Sequence, residues 1–335
     1  MTFVVLTWNG RSLLEVVLPS IFAQTSRGFA VHVVDDGSTD DSQGYVEREW
    51  PQAVFFAHDA NVGLTANMGR ALDTVTTGFV ALLNNDLELD PNWLAEMLAA
   101  LECHPDAAAA DCRMLNFYDR TLIDGAGDLL DYAMQPGRRG HGEPAAGRYE
   151  EVEEIFCVSF GAALLRARAI DDVGPLDNDL VAYYDDFDWG FRARLLGYTA
   201  IYVPTAIAYH MGSTTTNRDP GRWTHLFPRN RIYLIVKNLP GALLVRYLPR
   251  IVVAEVSWLG RDLRRGHGRN HLKALWQAFL MLPLALRKRR EIQRSRRVSS
   301  SELVAALTPL PGVLEGLGAR LRGHAQPAGR GTPGD

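Results

Sequence analysis

The sequence predicts an α/β fold built around a doubly wound, mostly parallel sheet and extended at its carboxyl end by a helical, basic region. Three observations carry that prediction. Short β-branched runs alternate with amphipathic stretches through about residue 115. The apolar runs end in polar clusters, as the βα units of a parallel sheet require. From Pro228 onward the alternation gives way to apolar segments interrupted by Arg, Lys or Pro.

Taken in order, strands are expected at residues 3–7, 30–35, 53–57, 79–83 and 107–114, with helices between them at 12–23, 40–49, 64–75 and 91–104. Asp90-Pro91 suits the start of the last helix, with a capping carboxylate and then Pro at the first helical position. Residues 117–150, rich in Gly, Arg and Asp with little periodicity, read as an excursion or mobile loop. Order resumes at 155–165 and continues to the cluster Tyr183-Tyr184-Asp185-Asp186-Phe187-Asp188-Trp189. A helix from there is expected to run through Leu196 and stop at Gly197, a natural residue for the left-handed cap. Residues 200–204 and 207–210 are the last strand-like pieces. The expected organisation is an α/β unit over 1–227, divided near residue 115, then a helical basic region over 228–322 and a disordered tail over 323–335.

With 335 residues, 47% of them hydrophobic and 22% charged, the chain has the make-up of an ordinary globular protein with a sizeable core. The net charge of −4 conceals a division. Residues 1–217 hold 13 Lys+Arg against 32 Asp+Glu, whereas residues 218–297 hold 19 against 4. Such a split points to different partners for the two parts. Cys103, Cys112 and Cys157 follow no metal or redox spacing and sit among apolar residues, so they read as reduced core thiols. Phe3-Val4-Val5-Leu6 follows Met1 and Thr2 directly, so no signal peptide is expected. No uncharged apolar run approaches the roughly 18 residues of a spanning helix, and a cytoplasmic location is the expectation.

Five polar elements carry the chemistry: Thr7-Trp8-Asn9, Asp35-Asp36-Gly37, the stretch Asn61-Val62-Gly63 through Asn67 to Gly69, Asn84-Asn85-Asp86, and Asp185-Asp186 followed by His210. The fourth delivers an isolated carboxylate and two amides to the end of a buried strand, where ligands of open α/β sheets gather. A lone Asp there suits a divalent cation bridging phosphate oxygens. Asp36, when ionised, can only accept hydrogen bonds. Aromatic neighbours around Asp185 and Asp186 suggest a partly buried site.

In this order the elements resemble the large family of inverting, nucleotide-sugar-dependent glycosyltransferases with the GT-A fold, often called family 2, and within it the bacterial rhamnosyl- and galactofuranosyltransferase-like members. The resemblance covers about residues 3–236. It implies a donor-binding part up to about residue 115 and an acceptor-side, catalytic part from about 116 to 227. Thr7, Asn9, Asp36, Asn61, Gly63, Asn67, Asn84 and Asn85 would then contact a nucleotide-diphosphate sugar. Asp86 matches the last, metal-binding Asp of the family's Asp-X-Asp motif, while Asn84 stands where the first Asp is usual. His210 resembles a further ligand of the same cation, Mn²⁺ or Mg²⁺, and a His ligand favours Mn²⁺. Asp186 resembles the catalytic base, with Asp185 and Trp189 on the acceptor side. Asp185 and Asp188 would raise its proton affinity by repulsion. Asp188 also stands i,i+4 to Arg192 on the predicted helix.

The implied acceptor is a saccharide or lipid-linked saccharide in cell-surface polysaccharide or glycolipid assembly. A non-catalytic nucleotide-sugar-binding or scaffold protein of the same fold is the rival reading, its support being the amide of Asn84. Sugar-nucleotide synthesis fits less well, because Thr7-Trp8-Asn9-Gly10-Arg11 is a poor match to the glycine-rich loop such enzymes carry. A dehydrogenase needs Gly-X-Gly-X-X-Gly at that place and lacks it here. For the basic region, Trp258, Trp276, Phe279 and Arg287-Lys288-Arg289-Arg290 suggest peripheral attachment to an anionic membrane, on its inner face. A cap packed on the acidic unit and a homo-oligomer interface compete with that reading. Nucleic acid is not expected, since no binding module is recognisable.

Overall fold

Alternation along the first strand organises the interior. In the computed structural model, which describes residues 1–212 and 225–309, β1 (Thr2–Thr7) is buried along its whole length. Phe3 and Val5 belong to one apolar cluster, Val4 and Leu6 to another on the opposite face. A parallel strand covered on both sides reads as a continuous apolar run.

The first half follows the expected order. Strands β1, β2 (Ala30–Asp35), β3 (Val54–Ala57) and β4 (Phe79–Asn84) alternate with helices α1 (Arg11–Phe22), α2 (Ser42–Glu49) and α3 (Leu64–Asp73). These four strands are parallel, in the spatial order β3-β2-β1-β4. Beyond them come β5 (Leu87–Leu89), α4 (Trp93–Cys103) and β6 (Ala107–Asn116). Helix α4 starts two residues later than Asp90-Pro91 suggested. The Asp90 side chain accepts from the Asn92 N–H at 2.9 Å, forming a turn, and Thr25 N–H donates to the Pro91 carbonyl at 2.8 Å. Those outside contacts compete with the first helical turn.

Residues 117–150 depart from the expected loop. They form β7 (Ile123–Gly125), which pairs with β6, and a hairpin of β8 (Asp128–Leu130) and β9 (Pro136–Arg138). Three-residue strands are too short to show a period, so the sequence pattern missed them.

The second half adds β10 (Glu153–Ile155), β11 (Ala162–Arg166), α5 (Ala167–Val173), α6 (Asp185–Leu195) and β12 (Thr199–His210). β11 inserts antiparallel between β4 and β6, and β12 lies parallel to β6. The two strand pieces expected at 200–210 are one strand whose register shifts between Val203 and Ile207, across Pro204. Helix α6 ends as expected: Gly197 follows it at φ +95°, a left-handed conformation open to glycine.

Four helices follow: α7 (Leu226–Asn238), α8 (Gly241–Arg264), α9 (Gly268–Ser295) and the short α10 (Ser300–Ala305). A third apolar cluster seats α7 and α8 on α6 through Phe187, Phe191, Leu234, Leu239 and Tyr247. The division expected at residue 227 falls inside α7, and the tail expected at 323–335 lies outside the described residues. Cys112 and Cys157 are buried as expected, but Cys103 is exposed at the end of α4.

Candidate active site

β1, β2 and β4 are neighbours and end together, so Thr7, Asp35 and Asn84 reach one edge of the sheet. Ligand crevices of open α/β sheets form there. Asp36, 4% exposed, accepts from the backbone N–H of Val62 at 2.7 Å and of Gly63 at 3.1 Å. Burial lifts its carboxyl above the ordinary range in spite of those two donors. This clasp draws Asn61-Val62-Gly63 against the end of β2. Gly37 makes it feasible: at φ +75°, a Cβ there would stand 2.6 Å from the Ala60 carbonyl carbon.

The other residues expected on the donor fall into two groups. Asn9, Asn61, Gly63 and Asn84 are half-buried or exposed. Asn9 is left-handed at φ 48°, and its side-chain oxygen accepts from the Thr39 N–H at 2.8 Å. Thr7, Asn67 and Asn85 are buried and tie the scaffold together. Asn85 donates to the Thr7 hydroxyl at 2.9 Å, and Asn67 donates to the Val34 carbonyl at 3.3 Å.

Asp86 and His210 meet because β5 runs antiparallel to β12, with His210 opposite Leu87. Met211 N–H donates to the Asp86 carbonyl at 3.0 Å, closing the pair. His210 Nε2 stands 3.5 Å from Asp86 Oδ1, while its Nδ1 lies 2.8 Å from Asp124 Oδ2. Arg138 Nη1 in turn holds Asp124 Oδ2 at 2.8 Å. All three members of the row Asp86, His210 and Asp124 are nearly buried. Burial disfavours a charged His210, but the two flanking carboxylates outweigh it and lift the imidazole to about 9. The row therefore favours positive charge.

Among the described residues no group of three His, Cys, Asp or Glu is arrayed around a common metal position. Asp86 and His210 can still supply two ligands from one side, leaving other positions to phosphate oxygens and water. The carboxylate behind the imidazole has the arrangement that fixes the ring of a metal-binding His. Asp124 and Arg138 escaped the sequence reading because both sit in the non-periodic stretch; Asp-Gly within it was their only signal.

Asp186 stands in the first turn of α6, half-buried, beside the buried Asp185. It accepts from the N–H of Phe187 at 2.7 Å, and the Phe160 N–H also lowers its pKa. Phe160 precedes Gly161, whose carbonyl accepts from the Asn84 N–H at 2.8 Å, so the base candidate and the end of β4 share this seam. Burial raises the carboxyls of both Asp185 and Asp186. Repulsion was the expected cause for Asp186, yet burial leads, and Asp188 is neutralised elsewhere. Two further buried carboxylates, Asp111 and Asp128, repel the same group, and Arg138 offsets them.

The segment leading into α6 is strained. Val181, Tyr183 and Tyr184 are left-handed at φ 69°, 65° and 67°, each a cost on the order of 1–3 kcal/mol. Helix α7 holds it: Asn230 donates to the carbonyls of Leu180, Ala182 and Tyr183 at 3.0, 2.8 and 3.0 Å. Arg229 adds bonds to the Asp179 and Leu180 carbonyls at 3.0 and 2.8 Å. The aromatic lining is thinner than expected. Trp189 is 2% exposed and packs on Phe160, so nothing can stack on it in this conformation. Tyr183 remains half-exposed, stacked on Phe227 at 4.2 Å.

The model for glycosyl transferase family 2 matches residues 2–174 of this sequence. The chain is similar to the N-acetylglucosaminyl-diphospho-decaprenol L-rhamnosyltransferase of Mycobacterium tuberculosis, 24% identical over 239 residues, 65% of this chain and 78% of that one. Its fold is similar to that of Staphylococcus aureus TarS 1–349, with a TM-score of 0.57 at 16% identity, covering 87% of both chains. It is also similar to that of GalNAc-T7, solved with UDP, GalNAc and Mn²⁺, with a TM-score of 0.56 at 16% identity over 70% of this chain and 47% of that one.

Proposed function

The chain belongs to glycosyl transferase family 2, and from that membership we propose how its residues divide the work. The protein is a nucleotide-sugar-dependent, inverting glycosyltransferase. The observation that supports the residue roles is the row Asp86–His210–Asp124–Arg138, linked to Asp186 through the Asn84–Gly161 seam.

The donor, a nucleoside diphosphate sugar, lies across the ends of β1, β2 and β4. Asn9, Asn61, Gly63 and Asn84 line its path, while Thr7, Asn67 and Asn85 hold that lining in shape. Asp36 keeps lone pairs free for a base N–H after accepting from Val62 and Gly63. Asp86 and His210 would hold a divalent cation, and a nitrogen ligand would favour Mn²⁺ over Mg²⁺. When bound, such an ion neutralises charge developing on the diphosphate leaving group.

Asp186 accepts the proton of the acceptor hydroxyl as that oxygen attacks the anomeric carbon from the face opposite the diphosphate. Burial raises its affinity for that proton, which suits a general base working near neutral pH. Asp185 borders the acceptor side, and Tyr183 offers the open aromatic face that Trp189 does not. The acceptor is a saccharide or lipid-linked saccharide of cell-surface assembly, as the substrate of the rhamnosyltransferase relative suggests. Among the described residues no helix is long and apolar enough to cross a membrane. A lipid-linked acceptor is then reached by peripheral attachment at the inner face.

A panel of nucleotide sugars with Mn²⁺, scored for release of nucleoside diphosphate, tests the reading. We expect one donor to turn over, and Asp86→Ala to lose metal-dependent turnover. No turnover with any donor would favour a non-catalytic binding protein, and full metal-dependent activity in Asp86→Ala would exclude it as a ligand.

A further inference from the structure

We propose that helices α8 and α9 dock on an anionic lipid bilayer through their outward apolar faces. The proposal deepens the reading of a membrane-borne acceptor and rests on it for the choice of partner. On α8, Val245, Val252, Val256 and Leu263 are 75%, 50%, 62% and 58% exposed. Their spacing sets them on one side of a 3.6-residue helix. The opposite side, Leu243, Tyr247, Ile251 and Ala254, is buried. On α9, Leu272, Trp276, Phe279 and Leu286 are 54%, 61%, 59% and 48% exposed, again on one side. His271, Ala274, Ala278 and Ala285 fill the inner side. Each helix thus carries two apolar stripes where packing on the protein uses one. Soluble monomers rarely leave contiguous apolar surface of this kind uncovered.

Charge selects the occupant. Residues 241–290 contain eleven Lys+Arg and two acids, Glu255 and Asp262. Both acids face inward: His271 pairs with Glu255 at 2.9 Å and with Asp262 at 2.7 Å, and Arg231 also binds Glu255. Of the basic run expected to anchor the chain, Lys288 and Arg289 are turned inward as well, onto Asp177 and Asp179 and onto the Val236 and Leu239 carbonyls. Trp258 likewise donates to the Gln135 side chain at 2.9 Å. Nine of the eleven cations stay exposed, among them Arg246, Arg250, Arg264, Lys273, Arg287 and Arg290, and one exposed acid, Glu291, stands beside Arg290 on α9. Apolar stripes edged by a large excess of cations suit anionic headgroups over an acyl layer. A second copy of the same face would set those cations against each other.

Sedimentation of the full chain with vesicles at low salt tests the proposal, comparing phosphatidylglycerol in phosphatidylcholine with phosphatidylcholine alone. We expect about ten-fold stronger partitioning onto the anionic vesicles. Val252→Asp combined with Phe279→Asp, at exposed positions, should lower it at least as much with an unchanged thermal midpoint. Arg246→Glu with Arg264→Glu should abolish the preference for anionic lipid. Absence of wild-type partitioning overturns the proposal, as does full partitioning of the aspartate variant. A dimer in light scattering that the same aspartates dissolve, without change in vesicle binding, would assign the faces to a second copy instead. Nucleoside diphosphate release, measured without vesicles, keeps the readings apart. Release without partitioning defeats the docking alone, and partitioning without release defeats the assigned activity alone.

Discussion

Buried carboxylates meet opposite treatment on the two sides of α6. Toward the crevice, Asp111, Asp128, Asp185 and Asp186 crowd around one another, and burial raises all of them, Asp111 to about 7. Toward the helical region, Asp177 and Asp188 are as deeply buried, yet both lie below the ordinary carboxylate value. Lys237 explains the difference: its Nζ sits 2.5 Å from Asp177 Oδ2 and 2.6 Å from Asp188 Oδ1. Lys288 adds a contact at 2.5 Å to Asp177, and Arg192 one at 3.0 Å to Asp188. The first set stores proton affinity for chemistry at a cost in stability. The second set fastens the basic helices to the acidic unit.

The sharpest way to break this contrast is to neutralise one member of each set. Asp186→Asn should lower transfer by about 10³–10⁴-fold, the upper range for a lost general base. Donor affinity by calorimetry should stay within about two-fold, since the assigned role touches the acceptor proton; a normal transfer rate would remove Asp186 from that role. Lys237→Met leaves Asp177 and Asp188 short of their shared cation and should cost about 3–5 kcal/mol in denaturant unfolding. A loss no larger than that of an exposed lysine would mean the seam is not held by charge.

Asp124→Asn probes the edge of the crevice and should weaken Mn²⁺ binding about 10–100-fold, the range for a lost partner behind a metal-binding His. Electron paramagnetic resonance of free Mn²⁺ in the presence of nucleoside diphosphate reads this without turnover. Unchanged affinity would reduce Asp124 to a scaffold acid.

The smallest effect is on the pH profile of stability. Asp177 is depressed below 3.8, so its contribution is present above that value and lost as pH falls below it. Asp111 is raised to about 7, so its contribution runs the other way, falling as pH rises from the unfolded value through 7. From these two groups stability should therefore peak close to the unfolded carboxylate value of 3.8 and decline as pH rises to about 7. A curve that rises from pH 5 to pH 8 would contradict the crowding around Asp186.

Strand–helix alternation in the first half, and the polar residues that end its strands, were legible in the order of the amino acids alone. Both are local: covered parallel strands are apolar throughout, and their last residues fall at one edge whatever the packing. The same order also marked Asp86, Asp186 and His210 as separate points. Only the tertiary structure joined them, because β5–β12 and β4–β11 pairings bridge stretches far apart in the chain. Asp124 and Arg138, in strands too short for a period, became visible with that pairing. The fate of each basic residue was decided there too. Lys237, Lys288 and Arg289 read like Arg246 or Lys273 in sequence, yet which face of a helix turns inward depends on what lies opposite, and charge composition does not record direction.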